Sequence, residues 1–325
     1  MDTASANTVR RAAEAFDLGG RVLDVRPLGR GLINDTFLVT TDHRRAVLQR
    51  INRRAFPQPE LIMQNLRVLL NHAARHAGSS SLRFPDICRT RDGADFLIDA
   101  DGEFWRTLAY IDGTCTLDRI GRPQQAQAVG RVLGQFHALT QDLDPARLHT
   151  TRQRYHDTPW YFERLRTVLA GSAVDTGDAE LRGCLEFAQA RGDRVAVLED
   201  ARRRGELRRH VIHGDPKVEN VLFDAASGAA VSLIDLDTVQ PGLLHYDLGD
   251  CLRSACNPLG ESPADPAQAQ FDLALCRALL TGYLAETRGF LSDADLNYLP
   301  DAIRLIPFEL GLRFLTDHLQ GDAYF

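Results

Sequence analysis

The stretch "VIHGDPKVENVLFD", Val211 to Asp224, constrains this chain more than any other. Two apolar, strand-like runs, "HVI" and "NVLF", enclose a loop carrying His213, Asp215, Lys217, Glu219 and Asn220. Charges so close to a core are costly unless they are paired or put to use. A hairpin of this kind holds Asp215 and Asn220 in fixed positions at one end. A third apolar run, "AVSLIDLDTV", follows the turn "AASG" and brings out Asp235 where "VSLI" ends, with Asp237 two residues on.

These residue types suit phosphoryl transfer. That reaction needs a carboxylate to accept the proton of an aligned hydroxyl, and a metal ion to offset phosphate charge. The spacing His213-x-Asp215-x-x-x-x-Asn220 is that of the kinase catalytic loop H-x-D-x-x-x-x-N. Asp215 is therefore the expected base, and Lys217 stands where an ammonium reaches a transferring phosphate. Asn220 and Asp235 offer oxygens to Mg²⁺, with Asp237 as a secondary or outer ligand. By itself the loop also fits an exposed polar hairpin with a capping aspartate. The strand-borne acids weigh against that.

The order of elements points to an α+β fold of two lobes. "NTVRRAAEAFDL" has helical spacing, and "RVLDVRPLG", "INDTFLVTT" and "RRAVLQRIN" read as strands. An amphipathic helix starts near Pro59, and a hairpin joins "ADFLID" to "EFWRTLAYI". The rest is mainly helical, including one helix over "AELRGCLEFAQARGDRVAVLEDARRRG" and others over Ala267–Thr287 and Asp293–Leu319. The expected division is a β-rich ATP-binding lobe, 1–111, and a helical catalytic and substrate lobe, 112–325.

A net charge of −6 and a pI near 5.9 exclude the basic footprint of a nucleic-acid binder. Six scattered cysteines, with no C-x-x-C pair and no zinc spacing with histidine, read as reduced thiols of a cytoplasmic protein. No signal-peptide pattern or membrane-length apolar run occurs. No protein partner is inferable.

On the nucleotide side, "LGRGLINDTFLV" places Gly29 and Gly31 where backbone N–H groups approach ATP phosphates. Asn34 replaces the third glycine of a G-x-G-x-x-G turn. The third strand lacks the usual lysine and offers Gln49 and Arg50, which point to opposite faces. Arg50 is either a fork for phosphates or a solvent-facing edge charge, and a Gln49–Asn65 amide pair is conceivable. For the acceptor, "RYHDTPWYF" offers His156 and Asp157, either as substrate contacts or as parts of a helix start. Arg313 is either a substrate clamp or the partner of Glu309 at i−4.

"HGDPKVENVLFD", "LIDLDTVQPGLLHYDLGDCLR" and the lobe order resemble the aminoglycoside phosphotransferase and choline kinase superfamily, over nearly the whole chain. "GRGLINDTFLV", "VLQRIN", "RYHDT" and "ELGLRFLTDHLQGDAYF" are similar to the bacterial N-acetylhexosamine 1-kinases, which phosphorylate the anomeric hydroxyl of GlcNAc or GalNAc. The resemblance implies a two-lobed protein-kinase-like fold, with ATP and Mg²⁺ as cofactors. It implies Asp215 as base, Asn220 and Asp235 as metal ligands, and His213 as a brace. Asp247 and Asp250 would support the loop from a helix start. Members of that family usually continue past "YF" with another helix, so a C-terminal segment is expected to be absent or shorter here. Choline, homoserine or an aminoglycoside is the alternative acceptor. The arginines of the insert (Arg152, Arg154, Arg164, Arg166, Arg202–Arg204) argue against a polycation.

Overall fold

A computed structural model describes residues 3–29, 33–76, 78, 81–171, 178–261 and 265–322. The first lobe opens with helix α1 (Thr3–Glu14) and the strands β1 (Val22–Pro27), β2 (Asp35–Thr41) and β3 (Arg45–Ile51). Helix α2 (Pro59–Arg75) follows, then β4 (Ile87–Cys88), β5 (Leu97–Ile98) and β6 (Phe104–Ala109). The strands form an antiparallel sheet in the order β1-β2-β3-β6-β4, with β5 also on β6. Strand alternation splits the side chains. Phe37, Val39, Ala46, Leu48 and Trp105 pack against Val9, Ala12 and Ala13 of α1. Ile51 and Phe104 on the other face join α2 and the large core.

The chain leaves this sheet at Ala109 and enters a second at β7 (Thr114–Cys115). β7 pairs with β9 (Val221–Asp224), which pairs with β10 (Ala230–Leu233). A separate ribbon joins β8 (His210–Ile212) to β11 (Gln240–Gly242). Around these strands lie α3 (Pro123–Thr140), α4 (Thr158–Gly171), α5 (Ala179–Gln189) and α6 (Val197–Arg203). Next come α7 (Leu244–Ala255), α8 (Leu273–Thr287), α9 (Asp293–Asn297) and α10 (Leu299–Leu319). α3 and α8 meet backbone to backbone. A Cβ on Gly130 would lie 2.0 Å from the Leu279 carbonyl oxygen, and one on Gly282 the same distance from that of Gln127. Any side chain at either glycine would force the helices apart.

Three expected helices differ. The single helix after residue 178 breaks into α5 and α6 at a 3-10 turn, Gly192–Arg194, where a Cβ on Gly192 would meet the Phe162 ring at 2.7 Å. α8 begins at Leu273 rather than Ala267, because the Asp272 carboxylate accepts from the amides of Ala274 and Leu275 and sets the start there. The last helix divides in two. Ser292 and Asp295 form a reciprocal capping box on α9, and Pro300 sits in the first turn of α10. Among the described residues no helix is long and apolar enough to cross a membrane.

Candidate active site

The loop after β8 is held from below by one carboxylate. Asp247, on the first turn of α7, is fully buried. It accepts from the amides of His213 and Gly214, each at 2.7 Å, and from Nε2 of His137 at 2.9 Å. Burial alone would raise its pKa; the His137 ring and the amide of His213 reverse this and hold it below the ordinary carboxylate value. Gly214 has φ +88° and lies so close to Thr238 that a Cβ would meet the Thr238 carbonyl oxygen at 2.6 Å. Only glycine fits that crossing.

His213 is fixed within the loop. Its Nε2 donates to the Ile234 carbonyl at 3.1 Å, and its Nδ1 accepts from the amide of Asp215 at 3.3 Å. Burial pushes its pKa down, so the ring is neutral and both nitrogens are taken. The Val218 amide donates to Ser254 Oγ at 3.0 Å, and the side-chain amide of Asn220 donates to the Asp215 carbonyl at 2.8 Å and to its Oδ2 at 3.2 Å. Nζ of Lys217 is 3.6 Å from Asp215 Oδ2. Burial works against that ammonium, but Asp215 and Asp235 outweigh it and keep Lys217 charged. Asp250 pairs with Arg253 at 2.7 Å through Oδ1, while its Oδ2 is buried and has no hydrogen-bond partner among the described residues.

Asp235 is the strained member. It sits at φ +62°, in the left-handed region, and its side chain reaches the open cleft. The surrounding protein disfavours its charge, and Asp237 and Asp215 add to the penalty, so its pKa is pushed up to about 7. Strain and like-charge crowding at one carboxylate mark a place for a cation.

Asp237 lies behind Asp235 and joins the two lobes. It forms a buried ion pair with Arg106 of β6 and accepts from the side-chain amide of Asn34 at 2.8 Å. Both of its oxygens are therefore engaged by the first lobe, which favours the outer place over direct ligation of a metal. Arg106 also donates to Gln49 Oε1 at 3.0 and 2.7 Å, and Gln49 and Arg106 are register partners on β3 and β6.

Of the expected nucleotide residues, Gly29, Asn34 and Arg50 line one cavity, and Gln49 lies on the other face of β3. Gln49 faces the inner side and carries Arg106. Asn65 does not pair with it, because its amide bonds the carbonyls of His149 and Val239 and the amide of His149. Arg50 is on the opposite face, paired with Asp35 and 5.7 Å from the Trp105 ring. It lines that cavity, of about 490 Å³, with Gly29, Asn34, Asp35 and Trp105. Its pair with Asp35 is exposed to solvent, as expected of an edge charge. Gly29 has φ +76° at the turn after β1, and Asn34 acts through its side chain, accepting also from the amide of Asn52 at 2.9 Å. Gly31 lies outside the described residues.

The expected acceptor contacts also divide. His156 is buried at φ +60°, donates through Nε2 to the Gly214 carbonyl at 3.0 Å, and has Nδ1 3.3 Å from Glu309. It props the loop from inside instead of facing a ligand. Asp157 starts α4: it accepts from the amide of Trp160 and pairs with Arg154 at 2.9 Å. The Glu309 carboxylate meets His156 and takes the Thr158 hydroxyl at 2.7 Å, while Arg313 lies 5.6 Å from the rings of both Tyr155 and Tyr161. Arg152 is 4.7 Å from the Tyr155 ring. Burial raises the Tyr155 phenol well above its ordinary value, and nearby Asp215 adds to the shift.

Sequence reasoning missed Arg106, Arg152 and Tyr155 as site residues. The signal for Arg106 was a lone guanidinium inside the apolar strand "EFWRTLA". For Tyr155 it was an aromatic one residue before a histidine already singled out.

The sequence model of the phosphotransferase enzyme family matches residues 24–289, and the chain belongs to that family of small-molecule kinases. Homoserine kinase of Rhodospirillum rubrum is 25% identical over 312 residues, which cover 94% of this chain and 83% of that protein. A microcompartment-associated aminopropanol kinase superposes with a TM-score of 0.65 at 20% identity, covering 97% of this chain and 94% of that one. Choline kinase from Streptococcus pneumoniae superposes with a TM-score of 0.57 at 15% identity, covering 99% and 94%. The shared fold is a small antiparallel-sheet lobe on a mainly helical lobe.

Proposed function

We propose that this kinase transfers the γ-phosphate of ATP to the anomeric C1 hydroxyl of an N-acetylhexosamine, in the cytoplasm. Residues 1–111 would serve the nucleotide and 112–325 the catalysis and acceptor. Asp215 accepts the hydroxyl proton, and Lys217 beside it attracts the transferring phosphate. Mg²⁺ fits the oxygens of Asp235 and Asn220, since Asp235 is crowded by like charge and the Asn220 nitrogen is turned to Asp215. When bound, the ion offsets charge on the phosphates. His213, Asp247 and His156 keep Asp215 in place, and Asp250 lies behind it.

One observation carries the acceptor class. The Tyr155 ring, close to Asp215, is flanked by the guanidinium groups of Arg152 and Arg313. Guanidinium forks over that ring suit hydroxyl and carbonyl oxygens, as in a neutral acetamido sugar. The motif stretches support the same reading. "RYHDT" and "ELGLRF" meet through His156, Thr158 and Glu309, and "GLIND" and "VLQRIN" meet at Asn34 and Asn52. A second reading is homoserine, whose carboxylate also suits the arginines and whose kinase is the relative named above. ADP release with GlcNAc, GalNAc, homoserine, aminopropanol and choline tests the class. Phosphorus NMR then tests the position: coupling to H1 is expected. A 6-phosphate, or turnover of homoserine alone, would defeat the proposal.

A further inference from the structure

We propose that His72, His76 and Asp142 form a zinc site that ties the two lobes together behind the catalytic cleft. His72 lies in the last turn of α2 and His76 is its C-cap four residues on, which sets the two imidazoles side by side. Their ring centroids are 4.4 Å apart. Nε2 of His72 lies 3.2 Å from Oδ1 of Asp142, and Nε2 of His76 lies 3.3 Å from Oδ2. A tetrahedral zinc ion with bonds of about 2.0–2.2 Å separates its ligand atoms by about 3.3–3.6 Å. Each imidazole is thus at that spacing from the carboxylate, and all three ligand atoms lie within 4.8 Å of one another. Among the described residues, no other trio of histidine, cysteine or carboxylate groups has its ligand atoms so close together.

The protonation pattern points the same way. Nδ1 of His76 is 3.0 Å from the His72 carbonyl oxygen. A carbonyl only accepts, so Nδ1 carries a proton and Nε2 is the nitrogen turned to the carboxylate. At that distance from a carboxylate oxygen, Nε2 needs either a second proton or a metal ion between them. A backbone carbonyl that fixes the outer nitrogen in this way is the usual support of a ligating imidazole. Nε2 of His72 is also 2.9 Å from the Leu139 carbonyl, to which it donates without metal. Zinc would displace that proton. Two imidazoles and one carboxylate suit Zn²⁺ and not Mg²⁺, which prefers an octahedron of oxygens. The half-exposed His76 and exposed Asp142 leave the site open to solvent.

The position gives the site its effect. α2 belongs to the first lobe; Leu139 closes α3 and Asp142 follows it in the second. Seven residues before His72, Asn65 already binds α2 to Val239, beyond Asp237. Zinc would fasten the other end of the same helix.

The test uses the full chain, stripped of metal and titrated with Zn²⁺ against a chromophoric chelator in Mg²⁺-free buffer. One ion per chain is expected. Partners of metal ligands alone are worth about 10–100-fold in affinity, so His76→Ala and Asp142→Asn should each weaken zinc by at least about tenfold. Both variants should keep wild-type turnover in zinc-free Mg²⁺–ATP. Cobalt(II) at the site should give a spectrum without thiolate charge transfer. Absence of stoichiometric binding, or binding that survives both substitutions, would overturn the proposal. So would a thiolate spectrum, which would put the ion on cysteine.

Discussion

Asp247 and Asp235 serve the same loop under opposite conditions. Asp247 is buried and saturated: two amides and an imidazole donate to it, and its pKa is lowered. Asp235 makes no hydrogen bond with a described side chain, has a left-handed backbone, and is raised to about 7. A carboxylate whose partners are complete contributes to the fold. One held in strain beside two others adds little to the apo fold, and the proposed metal site accounts for it.

The largest break in this contrast is at the base between them. Asp215→Asn should fold, bind ATP, and lose about 10²–10⁴-fold in turnover. Wild-type kcat in that variant would remove the residue from its proposed role. Next is Asp247→Ala, which strands His137 and two buried amides and should cost about 3–5 kcal/mol in urea unfolding. Its pH dependence has a definite sign. The native pKa lies below the unfolded one, so the stabilisation is present above the unfolded value and lost as pH falls through the native value. Asp247→Asn should flatten that acid limb, and an unchanged limb would show that other groups set it. Arg106→Met leaves Asp237 buried with only Asn34, and should cost about 3 kcal/mol. A cost under about 1 kcal/mol, the range of an exposed pair, would mean that the pair does not join the lobes. The smallest effect is expected at Arg50→Ala. That exposed pair with Asp35 is worth under about 1 kcal/mol, and ATP affinity should not change.

The same contrast explains what could be read in the sequence. The loop was legible because the spacing from His213 to Asn220 is local, and β8, β9 and β10 are apolar runs with clear ends. The helix order was legible from periodicity, and its errors fell where Asp272 and Ser292 cap helices and Gly192 breaks one. Arg106 was not legible as the cation of the cleft. It is 57 residues from Gln49 and meets it only because β6 pairs with β3. His156 turned inward because its backbone takes a left-handed conformation that periodicity does not predict. His72 and His76 are set side by side by spacing alone, but Asp142 joins them only through the packing of α2 on the end of α3. Periodicity tells which side chains share a face, not which element lands opposite.

The most direct test of the central claim is the unfolding free energy and turnover of Asp235→Asn, measured together in the same buffer. Removing a crowded charge should leave stability unchanged or raised without Mg²⁺, while Mg²⁺-dependent ATP binding and turnover are lost. A variant that is destabilised as Asp247→Ala is, or that keeps wild-type turnover, would contradict the account.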